Sequence, residues 1–190
     1  MAIELIIKNV PLFLSDLHDA REYTAGDGKP RWSAAFVVAQ GTDNDKKIRA
    51  AIEQVARETW PNDWQRKLKA MEGQKTQYCY LDGAAKLGER YDGEYILATH
   101  RYAKTRKGAA NTPPAIVDKN PRVEAPRGKI YPGCLVNAKV EIYAQTGENP
   151  GIRGGFSVVQ YVDEGQAFGG GGPNVDGLDD LSVADEADIC

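Results

Sequence analysis

Over the first 162 residues, apolar and polar positions alternate mostly at the two-residue period of a strand. Glu4 to Asn9 reads as a first strand. Leu12 to Leu17 is apolar but broken by Pro11 and Ser15, and reads as a loop or a sheet edge. Gly26 to Pro30 has the composition of a turn. Arg31 to Ala39 follows as a strand, with Trp32, Ala34, Phe36 and Val38 on one face, and the two sides of the turn form a hairpin. Further strands are expected at Gln77–Leu81, Glu94–Tyr102, Ala115–Val117, Leu135–Ala144 and Gly155–Val162. In the run after Leu135, Val136, Ala138, Val140 and Ile142 alternate against Asn137, Lys139, Glu141 and Tyr143.

The period changes once. Thr42 or Asp43 can cap a helix whose apolar positions, Ile48, Ala51, Ile52, Val55, Ala56 and Trp60, fall on one stripe. Pro61 suits the first turn of a second helix with Trp64, Leu68 and Met71 inward, and Gly73 ends it. Trp60 and Trp64 lie on these stripes and read as core. Asp82 to Gly93 is a glycine-bounded loop, and Lys104 to Pro114 a polar, basic, exposed one. There is no βα alternation and no internal repeat. The expected fold is mainly β: an antiparallel barrel of the oligonucleotide-binding type (OB-fold) over residues 1–162, with a helical insertion at about 43–72. Beyond Val162 the pattern stops. Residues 163–173 form a Gly-rich linker, and 174–190 a tail too poor in apolar residues to fold alone, expected to be disordered.

Composition narrows the function. A chain of 190 residues that is 42% hydrophobic and 27% charged fits one soluble domain plus a tail. No apolar run is long enough to span a bilayer. The start, MAIELIIKN, lacks a basic segment and carries Glu4 inside its short apolar run, so no signal peptide and no membrane association are expected. Cys79, Cys134 and Cys190 are odd in number, far apart and never in a CxxC. That argues against disulfides or structural zinc and suits a reducing cytoplasm. His18 and His100 are too few to support a Ser-His-Asp set, and no glycine fingerprint cradles phosphate. Asp82, Glu89, Asp92 and Glu94 are the carboxylates a metal phosphodiesterase would use, and they read as solvated loop groups. The sequence favours a binding protein over an enzyme, with no catalytic residue, metal or cofactor implied.

The net charge of −3 hides an asymmetry. Asp176, Asp179, Asp180, Asp185, Glu186 and Asp188 crowd the last 17 residues without a single Lys or Arg, and the rest of the chain is net +3. Within it, Arg101, Lys104, Arg106, Lys107, Lys119, Arg122, Arg127 and Lys129 face only Asp118 and Glu124 in their stretch. Rings are interleaved with these cations. Tyr102 sits among Arg101, Lys104, Arg106 and Lys107. Tyr131 follows Lys129, and Trp32 follows Lys29 and Arg31. Tyr78 and Tyr80 alternate on one expected strand, and Tyr143 shares a strand face with Lys139. Single-stranded nucleic acid is held by such a pairing: cations neutralise phosphates and release counterions, and rings stack on bases. These residues are therefore the candidate DNA-binding set. The six tail carboxylates mimic a short polyanion tethered near the basic groove. They are expected to occupy the groove weakly without DNA and to recruit a partner protein when freed.

Several runs, in order, carry a family resemblance. They are Gly28 to Phe36 (GKPRWSAAF), Pro114 to Asp118 (PAIVD), Gly128 to Ala138 (GKIYPGCLVNA), Val159 to Tyr161, and Phe168 with the glycines after it. Together they resemble a family of tailed-bacteriophage single-stranded DNA-binding proteins, over about Ile3 to Gly172. The resemblance implies an OB-fold body with an acidic tail. Such a protein coats single strands in the infected host cell during phage DNA replication, recombination or repair, and contacts replication or recombination proteins through its tail. Self-association is compatible with it. The tail departs from many bacterial proteins of this wider class, which close on an aromatic residue, by ending Asp188-Ile189-Cys190. Two other functions fit the residues: a strand-annealing or recombination-mediator protein, and a DNA mimic acting through its tail.

Overall fold

The computed structural model describes residues 1–23, 28–105, 107–147, 149–166 and 168. The expected turn residues Gly26 and Asp27, Arg106, and the acidic tail lie outside them. The described residues form one sheet of seven strands in the order β3-β4-β2-β1-β6-β7-β5, with helices inserted between strands. The strands are β1 (Ala2–Arg21), β2 (Arg31–Ala39), β3 (Tyr80–Asp82), β4 (Glu94–Tyr102), β5 (Ala115–Val117), β6 (Leu135–Gln145) and β7 (Gly151–Asp163). The helices are α1 (Asp43–Thr59), α2 (Trp64–Met71) and α3 (Gly83–Leu87).

The sheet curls into a barrel because β1 serves two partners. Its first half pairs antiparallel with β6, from Ala2 opposite Tyr143 to Pro11 opposite Leu135. Its second half pairs with β2, from Leu12 opposite Phe36 to Arg21 opposite Arg31. The stretch expected as a loop or edge, Leu12 to Leu17, is thus the second half of one long strand. Proline lacks a ladder donor. Pro11 stands where the strand changes partner, and the Leu12 N–H next to it reaches the Cys134 carbonyl at 3.0 Å. Asn9, at φ 53°, lies within the register shift between Ile7 and Val10.

β2 and β4 pair along all nine residues of each. The barrel closes where β4 packs along β7, and the chain just before β3 joins this seam through an Ile152 N–H to Gln77 carbonyl bond of 2.8 Å. Glycine makes the closure close: a Cβ at Gly154 would stand 2.7 Å from the Ala98 carbonyl oxygen. The final strand therefore begins earlier than the expected Gly155. β5 runs parallel to β7 as an added edge.

Inward positions of the strands build the core, with Ile7, Leu12, Phe36, Leu97, Ile142, Ile152 and Phe156 at 0–1% exposure. The apolar stripe of α1 packs on β1 and β6. Its N-terminus is capped by Thr42, whose Oγ1 accepts from the Asp45 N–H at 3.3 Å. Asp45 is 4% exposed and accepts from the Gly41 N–H (2.9 Å), the Arg49 Nε–H (2.7 Å) and the Tyr80 hydroxyl (2.8 Å). Burial raises its proton affinity, but these donors outweigh it and hold its carboxyl below the usual range. This buried network ties α1 to β3.

Trp60 and Trp64 pack against the core as expected, half-buried at the helix corner under Lys67 (5.5 Å) and Arg57 (4.8 Å). Two local expectations are corrected. Pro61 precedes α2 rather than opening it, and Asp63 is the N-cap. The loop expected from Asp82 to Gly93 contains α3 and a 3-10 turn, Glu89–Tyr91. The signal was Asp82, whose carboxylate accepts from the Ala85 N–H at 2.8 Å as an N-cap. No helix of the described residues is long and apolar enough to cross a membrane.

Candidate nucleic-acid interface

Strand alternation sends Trp32, Ala34, Phe36 and Val38 of β2 into the core and leaves Arg31, Ser33, Ala35 and Val37 on the outer face. Opposite these on β4 stand Tyr102, His100, Ala98 and Ile96. A groove of about 770 Å³ runs over this face. Ser33, Ala35 and Ala98 lie along it. Leu14, Asp16 and Tyr23 border it from β1 and the chain beyond, Arg153 from β7, and Lys75, Tyr78 and Lys86 from the α2–α3 region.

Its electrostatics are one-sided. Arg31, Lys75, Lys86 and Arg153 line it, and among the described residues none of them forms an ion pair. The carboxylate in the lining, Asp16, is engaged by Arg21 at 3.1 Å and by the Tyr23 hydroxyl at 2.7 Å. Arg31 lies over the Tyr23 ring at 4.4 Å. Arg153 is held by the carbonyls of Asn149 (2.9 Å) and Thr76. Burial first, then the Arg31 and Arg153 guanidinium groups, lower the His100 pKa to about 4, so its imidazole is neutral at pH 7. Burial and the neighbouring Lys75 likewise lower the Lys86 pKa. Partly desolvated cations without counter-charges are sites where an incoming phosphate gains most.

Rings accompany the cations. Tyr102 is 39% exposed, edge-on to His100 at 5.0 Å, and Tyr23 is 52% exposed. Leu14, 57% exposed, adds an apolar contact. Tyr143, opposite Arg153 on β6, is half-buried, and burial pushes its hydroxyl up to about 12.

The candidates chosen from sequence fall into three groups. Arg31, Tyr78 and Tyr102 line the groove. Lys104 and Lys107 are exposed on a hairpin that continues β4 past Tyr102, pinned to the start of β2 by the Ala103 N–H to Pro30 carbonyl bond (2.9 Å). Lys29, exposed, precedes the same end of β2. A second group is engaged elsewhere. Lys119 pairs with Asp163, Arg127 with Asp19, Lys129 with Asp118 and Lys139 with Glu4, and the Tyr131 hydroxyl donates to Glu164 at 3.0 Å. Arg101 donates to the Thr112 carbonyl at 2.7 Å, and Arg122 is exposed away from the groove lining. The third group is buried. Trp32 is 7% exposed among the core residues. Tyr80 is 3% exposed, bonded to Asp45 and stacked on Tyr95 at 5.0 Å. Neither offers a ring face to a base. Tyr78 and Tyr80 do not alternate on one strand: Tyr78 precedes β3 as an isolated bridge to Ile152.

Among the described residues no three His, Cys, Asp or Glu side chains cluster as metal ligands. The arrangement is one for holding a polyanion with exposed rings.

The model of the family described as the Enterobacter phage Enc34 ssDNA-binding protein matches residues 3–189. The chain belongs to that family. The family is one of phage single-stranded-DNA-binding proteins rather than enzymes, and its match extends through the acidic tail. A curated relative, putative protein p50 of Acyrthosiphon pisum secondary endosymbiont phage 1, is 29% identical, covering 98% of each chain. Two solved structures share the fold. The single-stranded DNA-binding protein of bacteriophage Enc34 in complex with ssDNA superposes with a TM-score of 0.67, at 17% identity over 87% of this chain and 89% of that one. Gp2.5 of bacteriophage T7, a single-stranded DNA-binding protein, gives 0.60 at 12% identity over 90% and 91%. The OB-type barrel expected from the strand pattern is thus the fold of this chain.

Sequence reasoning missed Tyr23, Lys75, Lys86 and Arg153 as groove residues, and read His100 only as structural or as a weak nucleic-acid contact. Lys75 and Lys86 are isolated cations in stretches without a basic cluster. Arg153 lies between glycines that read only as the approach to a strand. His100 alone had a usable signal: it is two residues from Tyr102, hence on the same strand face.

Proposed function

We propose that this protein binds single-stranded DNA without sequence preference along the β2–β4 groove. Phosphates would meet Arg31, Arg153, Lys75 and Lys86, with Lys29, Lys104 and Lys107 extending the track at the hairpin end. Tyr23, Tyr102 and Tyr78 offer ring faces to bases. The observation that carries this reading is the coincidence, in one groove on the outer sheet face of an OB barrel, of exposed rings with four cations that form no ion pair among the described residues. In the same reading the protein serves phage DNA replication, recombination or repair in the host cytoplasm, and residues 174–190 compete for the groove and recruit replication or recombination proteins.

The test is a titration of a poly-thymidine oligonucleotide into the full chain across a salt series. Binding whose logarithmic affinity falls linearly with the logarithm of salt, by roughly 0.7 per phosphate contact, is expected. Absence of binding at low salt overturns the reading.

A further inference from the structure

The outer face of β2 and β4 continues beyond the groove lining at Ala35 and Ala98 to Val37 and Ile96, and there it is covered by rings. A register shift in β1 between Leu12 and Leu14 places Phe13 against Ala35, Val37 and Ile96, the use a bulge commonly serves in re-aiming a side chain. Tyr91, in the 3-10 turn, stands edge-on to Phe13 at 6.1 Å. Phe168 completes the cluster, 5.3 Å from Phe13 and 6.1 Å from Tyr91. Phe13 belongs to β1 and Tyr91 to the 3-10 turn. Phe168 lies past the end of β7, and the chain after it reads four glycines, a proline and the six acids. The root of the acidic tail is therefore seated on the same sheet face as the groove, and ring and apolar contacts hold it there.

We propose that Phe13 and Tyr91 form a further base-stacking subsite, and that Phe168 occupies it until a nucleobase of single-stranded DNA displaces it. This rests on the reading of the groove as the DNA site. A flat ring at 5–6 Å from two others uses the geometry in which aromatic groups attract one another, and every base presents such a π-face. The seat is continuous with the groove through Ala35 and Leu14. Lys86, on the helix just before the Tyr91 turn, lines the groove and has no carboxylate partner among the described residues, so a phosphate beside the seated base finds a cation.

The test uses the full chain and a poly-thymidine oligonucleotide at one moderate salt concentration. Phe168→Ala is expected to tighten binding by about five-fold or more, the low end of what one stacked base contributes. Phe13→Leu, which keeps apolar packing without a ring face, is expected to weaken it by a similar factor and to abolish the gain from Phe168→Ala. Thermal unfolding of each variant checks that it is folded. Should Phe168→Ala fail to fold, Phe168→Trp reports directly: its emission, against the wild-type background, shifts to the red when DNA displaces the ring, and an unchanged spectrum at saturation overturns the proposal. Wild-type binding that neither Phe168→Ala nor Phe13→Leu alters overturns the subsite alone. Failure of the wild type to bind removes the groove reading and the subsite with it.

Discussion

Arg31 on β2 and Arg153 on β7 reach the groove from strands far apart in sequence, and both bear on His100 between them. Replacing Arg153 by Gln keeps a polar side chain but removes one fixed charge. The salt slope of DNA binding is expected to fall by about 0.7 if Arg153 meets one phosphate, and an unchanged slope would show that it meets none. The Arg153 contacts to Thr76 and Asn149 make stability a necessary control in the same variant. His100 gives a pH signature with a definite sign. Its unfolded-state pKa is near 6.5 and its folded one about 4, so between these values the unfolded chain binds more protons. The stability linked to neutral His100 is complete above about pH 6.5 and is lost as pH falls toward 4. Thermal midpoints are expected to drop more steeply over that window in the wild type than in His100→Gln. Parallel curves would show that His100 is not buried against the two arginines as described. Burial is the main reason the imidazole stays neutral and repulsion by the two arginines the second; phosphates bound at Arg31 and Arg153 offset the second, so affinity for DNA is expected to rise as pH falls, and this rise is absent in the variant.

At the scale of elements, the barrel seam decides whether the groove exists. β4 and β7 approach closely enough that Gly154 has no room for a side chain: its Cβ would meet the Ala98 oxygen at 2.7 Å and the Thr99 methyl at 3.1 Å. Gly154→Ala must push the strands apart. The expected cost is of order 1–3 kcal/mol, the range for overpacking, read as a lower thermal midpoint with weakened DNA binding because Arg153 moves with its strand. An unchanged midpoint would mean that the seam is looser than drawn. The strands that build this seam differ in how plainly they could be read. β6 alternates cleanly with one buried face, and β2 and β4 are apolar runs buried on both faces at Ala34–Val38 and Ile96–Leu97; the expected limits of all three fall within a residue of the observed ones. β1 could not be read as one strand, because its identity depends on exchanging β6 for β2 at Pro11, which no local pattern encodes. β3 has only three residues, held by β4 and the Tyr80–Asp45 bond rather than by its own periodicity. The same division holds for the site. Arg31 and Tyr102 were legible because ring and charge lie near each other in sequence. Lys75, Lys86 and Arg153 meet only once the barrel closes. Lys119, Arg127, Lys129 and Lys139 looked free because their carboxylate partners are distant in sequence, apart from Asp118 near Lys129. Trp32 carried its own warning, since it shares its face with Phe36 and Val38.

For the whole molecule the governing quantity is the distribution of charge, a net +3 body joined to a tail of six acids through glycines. In the proposed reading the covalent link keeps the tail at a high effective concentration near the body, so even a weak tail–groove contact would compete with DNA. Such a contact between surface charges would be screened over a Debye length of about 10 Å at 0.1 M salt. Two consequences separate it from a purely steric tail. Neutralising all six acids (Asp→Asn at 176, 179, 180, 185 and 188, with Glu186→Gln) is expected to tighten binding of a poly-thymidine oligonucleotide at low salt. The advantage should shrink as salt rises and vanish near 1 M, where the Debye length is about 3 Å. The steepness of the salt dependence should also increase, because wild-type DNA binding releases a tail that salt was already loosening, whereas the neutral-tail chain shows the full counterion term of the groove. Equal affinities at all salt concentrations would leave the tail no part in the groove and restrict it to partner recruitment. An advantage independent of salt would trace the competition to the bulk of the tail and the Phe168 seat rather than to its carboxylates.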